Sequence, residues 1–219
     1  SDLAWTLTSC EKDTGTETVN VPIGFSNNVT TATRTGDINN DNLTSIGVFA
    51  SLTHGNFDAT VSTPNFMYNQ LVEKKNGTWQ YTPLKYWPNN DSDKISFFAY
   101  APHNATGVTP SNAIQKGYPS FTYTTPTAEA DQVDLLAATP IINQNGGSVD
   151  FKMQHALTKV VFNVKSNDDI TGKVITAFSI TGAKSGTLAF HVPANDDDKG
   201  FGWTYPSTVT AETFTATTK

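Results

Sequence analysis

The chain has 219 residues, 37% of them hydrophobic and 16% charged: enough apolar content for a folded core, with fewer charges than the roughly 25% of an ordinary globular domain. The net charge is −6 and Arg34 is the sole arginine, so apart from Lys74-Lys75 the chain lacks the clustered cations that nucleic-acid binding requires. The single cysteine, Cys10, excludes an intramolecular disulfide, and no apolar run approaches the ~20 residues of a membrane-spanning helix.

Leu7-Thr8-Ser9-Cys10 matches a bacterial lipobox, an aliphatic residue and two small ones before a cysteine whose sulfur takes the lipid. The alternative is a free cysteine in a polar tail. Glu11 to Thr18 has no apolar face and reads as a tether, so residues 1–18 are assigned to a signal remnant and linker. Val19, Val21, Ile23 and Phe25 alternate with polar or small residues, the period of a strand with one buried face. Pro22 lacks an N–H for a ladder and places that strand at an edge. Residues 26–42 are almost wholly polar and read as a loop containing Arg34.

Ile46, Val48 and Ala50 alternate again. Asn76-Gly77, between two aromatic-rich runs, is a hairpin signal. The apolar run from Ile95 to Ala101 is short and closed by Pro102, which predicts a buried strand. Further strands are predicted at 120–124, 132–138, 148–153 and 156–165. A hairpin is predicted from 174–180 and 187–192 around Lys184-Ser185-Gly186, and residues 207–219 are Thr-rich and end without a stop signal. Helix is limited to one turn near Ala128–Asp131. Many short strands, together with 34 threonines, predict an all-β sandwich. Residues 19–166 are assigned to the main sandwich. Residues 167–219 are assigned to the start of a second, truncated β domain, being too few for a sandwich of their own.

Reactive chemistry is sparse. Asp37, Asn39 and Asp41 stand like the start of a calcium loop, but Asn42 and Val48 occupy the places of its glycine and glutamate, so a polar turn is expected and no metal. Asp196-Asp197-Asp198 reads as a solvated loop. His54, His103, His155 and His191 have no metal-ligand spacing, and no nucleophile motif is present, so neither an enzyme nor a cofactor is expected. Trp79, Trp87 and Trp203 suit sugar stacking or, more ordinarily, a core.

Residues 79–88, Trp-Gln-Tyr-Thr-Pro-Leu-Lys-Tyr-Trp-Pro, followed by 95–102, Ile-Ser-Phe-Phe-Ala-Tyr-Ala-Pro, resemble the fimbrillin family, the Mfa-like pilins of Bacteroidales. Thr33-Arg34-Thr35, residues 46–50, 66–69, 134–137 and 155–160 fit in the same order. The resemblance covers about residues 7–205 and is specific only as a combination. It implies transthyretin-like β-sandwiches in a fimbrillin-like pilus subunit or adhesin at the cell surface, exported as an outer-membrane lipoprotein through Cys10. It further implies that an arginine-specific protease cuts at Arg34, that the strand of Val19, Val21, Ile23 and Phe25 leaves, and that the groove takes a strand from another pilin subunit. Contact with the membrane would be through the N-terminal lipid alone. The plain reading of Arg34 is an uncut surface residue. The alternative function is a non-polymerising surface lipoprotein that binds glycans or host proteins.

Overall fold

A computed structural model describes residues 19–30 and 37–217. Fourteen strands are formed among them: β1 (Phe25–Val29), β2 (Ser45–His54), β3 (Met67–Lys75), β4 (Thr78–Gln80), β5 (Asp93–Ala101), β6 (Val108–Pro110), β7 (Ser120–Thr124), β8 (Leu136–Ala138), β9 (Ile141–Gln144), β10 (Val149–His155), β11 (Ala177–Ala183), β12 (Ser185–Phe190), β13 (Phe201–Thr204) and β14 (Ala211–Thr217). One 3-10 turn, Glu129–Asp131, lies where the sequence allowed a single turn.

The strands make an eight-stranded sheet in the order β1-β10-β8-β5-β2-β3-β4, with β9 also on β5. A second sheet runs β13-β12-β7-β6, and β11 and β14 form a two-stranded ribbon. The large sheet curls towards closure. Beyond β4, the Lys85 carbonyl accepts the Ile23 N–H and the Trp87 N–H reaches the Val21 carbonyl, both at 2.9 Å.

The curl explains why β2 and β5 are apolar on both faces. Ile46, Val48, Ala50, Ile95, Phe97 and Ala99 point into the curled sheet. Phe49, Phe98 and Tyr100 point the other way, onto Phe121 of β7 and Leu188 and Phe190 of β12. Strands buried on both faces read as continuous apolar runs rather than alternations. Gly47 is required by this layering, because a Cβ there would lie 2.4 Å from the Tyr100 ring. At the Asn76-Gly77 hairpin both residues have positive φ, 51° and 79°, the geometry of a tight primed turn.

Several expectations need correction. The first strand is β1, at 25–29, meeting the expected strand only at Phe25 and running on into the expected loop, while Pro22 makes only an isolated bridge to Tyr86. The 132–138 strand is confined to β8. The 148–153 strand runs on to His155 as β10, and residues 156–165 then form no strand. Val160, Phe162 and Val164 alternate correctly but are exposed, because no strand forms a ladder with them among the described residues, although Phe162 stacks on Phe178 of β11 at 5.0 Å. The expected hairpin around Lys184 is a change of sheet. β11 pairs with β14, whereas β12, one residue later, pairs with β7. Pairing thus runs across the expected boundary at 166/167, and residues 185–204 extend the sheet of β6 and β7.

Candidate functional site: the seat of the first strand

β1 ends the path of the large sheet and has a strand along one side only, β10, paired parallel from Phe25–Val149 to Val29–Met153. All other pairings among the described residues are antiparallel, and parallel pairing is slightly the weaker per residue. Backbone bonds fix the two ends: the Val149 N–H donates to the Gly24 carbonyl (3.1 Å) and the Thr30 N–H to the Met153 carbonyl (2.8 Å). On the opposite side, side chains stand in for a neighbouring strand. The Tyr81 hydroxyl donates to the Ile23 carbonyl at 2.9 Å, and the Asn40 side-chain Oδ1 accepts the Val29 N–H at 2.7 Å. Burial pushes the Tyr81 hydroxyl above the usual tyrosine range.

The inward row of this segment is Ile23 (1% exposed), Phe25 (8%), Asn27 and Val29 (5%). Phe25 packs face to face on Phe151 at 5.8 Å and edge-on to Tyr81 (5.2 Å) and Phe97 (5.9 Å). Trp87 closes the floor, packing on Phe97 and donating its indole N–H to the Gly147 carbonyl at 3.1 Å. Burial of each large apolar side chain in such a row contributes about 1.5–3 kcal/mol.

Of the four residues expected to fill the groove, Ile23 and Phe25 do so. Val19 and Val21 are 72% and 50% exposed and lie before the seat. Val29 and Asn27 were missed: the two-residue period continues to Val29, but the polar residue at 27 interrupts the apolar pattern. Cys10 and Arg34 lie outside the described residues. The chain on either side of 31–36 is pinned. Thr30 is tied to Met153, and beyond the gap Asp37 pairs with Lys159 at 3.0 Å. The Ile38 N–H donates to Asp134 at 2.7 Å, and the other carboxylate oxygen of Asp134 meets His155 Nδ1 at 2.9 Å.

The other polar clusters are turns. Asn39 Oδ1 accepts the N–H groups of Asp41 and Asn42. Asp198, which the sequence placed in a solvated run, accepts the N–H groups of Ala194 and Gly200 and contacts His191, and these bonds hold its carboxyl at about 2. Among the described residues, no three His, Cys, Asp or Glu side chains converge as metal ligands would. Trp87 is buried, while Trp79 and Trp203 are half-buried against the two cores, leaving no flat row of tryptophans among the described residues.

A family model described as fimbrillin-like matches residues 30–218, beginning just past β1. The fimbrium subunit Fim1C of Phocaeicola vulgatus is 35% identical over 63% of this chain, and this chain spans only 41% of that protein. A crystal structure of a fimbrial protein from Bacteroides vulgatus superposes with a TM-score of 0.63 at 27% identity, over 89% of this chain and 65% of that one.

Proposed function

The chain belongs to the fimbrillin-like family, and from that premise we propose that it is a structural subunit of a cell-surface fimbrium that catalyses nothing and joins other subunits by exchange of its first strand. The observation that carries the proposal is the seat of β1. Ile23, Phe25 and Val29 are buried in an apolar groove, yet a single parallel strand, two backbone bonds from the lead-in to Lys85 and Trp87, and a few side-chain bonds hold the segment. A strand so held leaves a trough of apolar side chains and unpaired backbone groups when it departs, which is a template for strand addition.

In this reading Cys10 carries the lipid of the exported precursor at the outer membrane. An arginine-specific protease cuts after Arg34. The piece bearing Cys10 and β1 then leaves, and another subunit's strand enters. Host proteins or glycans are the partners of the finished fibre.

The test is digestion with an arginine-specific protease, which has one arginine to act on. The expected result is release of the piece ending at Arg34 and ladders of higher oligomers on native gels. A resistant chain, or a cut chain that stays monomeric, refutes assembly by this route.

A further inference from the structure

Asn27 is the misfit of the groove. It lies on the inward row between Phe25 and Val29, opposite Phe151 in the β1–β10 register. Both polar atoms of its amide are buried without a hydrogen-bond partner. Its neighbour Asn28 points outward, and its side-chain oxygen accepts from Asn40 at 3.1 Å. The two asparagines therefore differ in kind. A buried, unpaired polar group costs about 1–3 kcal/mol, because it has given up water and received nothing in exchange. The flanking Phe25, Val29 and Phe151 offer an apolar surface at this position, with no donor or acceptor for the amide. A strand that leaves the groove lets the amide regain its water.

We propose that Asn27 sets β1 as a deliberately poor occupant of its own groove, and that the groove selects as replacement a strand from another subunit with an apolar residue at the Asn27 register. The inference rests on the strand-exchange reading and adds to it the position that decides which strand is held more tightly. The preferred occupant presents four apolar side chains at alternate positions, where β1 and its lead-in present Ile23, Phe25 and Val29 around one amide. Leucine has the same branched side-chain skeleton as asparagine with somewhat bulkier methyl ends, and occupies the position without the desolvated amide.

The test uses the full chain as N27L, with N28L as the outward control. N27L should unfold at a higher urea concentration than the parent, and N28L should not. After cutting at Arg34, the N27L piece should leave at least roughly tenfold more slowly than the parent piece, the factor that one relieved polar group implies. A synthetic peptide of residues 22–30 carrying N27L should bind the emptied groove about tenfold more tightly than the unaltered peptide. An N27L chain that is no more stable than the parent overturns the inference, however the cut chain behaves. A parent piece that never leaves after cutting overturns the exchange reading, while the urea midpoints still decide the role of Asn27. If N28L gains as much as N27L, general hydrophobicity is the cause and the inference also falls.

Discussion

Truncating Phe25 to alanine removes a ring that touches Phe151, Tyr81 and Phe97 and is 8% exposed. Phe→Ala changes in cores cost about 3–5 kcal/mol, from lost transfer energy and the cavity left behind. An edge strand collapses onto a cavity more readily than a central one, so the low end applies, about 3 kcal/mol. Val21→Ala shortens a side chain that is half exposed and outside the groove, and should cost less than about 0.5 kcal/mol. With a urea slope of about 2 kcal/mol/M, the midpoint falls by about 1.5 M for Phe25→Ala and scarcely moves for Val21→Ala. Equilibrium unfolding followed by tryptophan fluorescence reads this directly, since Trp87 sits on Phe97 in the same cluster. Equal midpoints for the two variants would refute the placement of the seat at 23–29 and restore the expectation that Val21 fills it.

Gly107 has φ of 90°, and a Cβ there would stand 2.2 Å from the Thr124 carbonyl oxygen, a backbone atom that cannot turn aside, whereas Gly77 at φ 79° has open space around it. Gly77→Ala should therefore cost about 1 kcal/mol of backbone strain, and Gly107→Ala clearly more, read as a lower Tm by calorimetry. Asp198 is held at about 2 by the Ala194 and Gly200 N–H groups and His191, below its ordinary 3.8. Its folded value is depressed, so its contribution is present above pH 4 and lost as pH falls towards 2. The fall of Tm between pH 4 and 2 should be shallower in Asp198→Asn, and identical slopes would refute that assignment. Asp134→Ala leaves the Ile38 N–H and the ring of His155 without their shared acceptor, at a cost of about 1–3 kcal/mol in urea unfolding, with partial recovery in Asp134→Asn.

The elements most legible in the sequence were those whose partners are implied by their own composition. The run from Ile95 to Ala101 is apolar at every position but Ser96 because both faces are covered, and Asn76-Gly77 has the φ angles that its turn demands. Periodicity states that a strand has a buried face but not what buries it. Residues 156–165 have the period of a strand but join no ladder among the described residues, while β14 pairs with β11 in a Thr-rich stretch where no strand was predicted. At Lys184 the chain passes from the ribbon to the sandwich sheet within one residue, a choice of neighbour that turn chemistry does not encode. The groove was half legible for a related reason. Apolar alternation ends at Phe25 because Asn27 breaks it, although the strand continues to Val29. The supports from Asn40 and Tyr81 come from distant parts of the chain and left no local trace.

β2 and β5 stand in this molecule like a bulkhead in a hull. Every apolar side chain of the β1 segment lies on one side of them, with Val48 and Phe97, while Phe49, Phe98, Phe121 and Phe190 occupy the other. Lifting β1 admits water to one compartment and leaves the second dry. Under the proposed strand exchange, a subunit with its groove open would therefore keep a closed core through the interval before a new strand arrives. Amide hydrogens facing the second compartment should keep their protection through that interval, while those of β10 lose theirs.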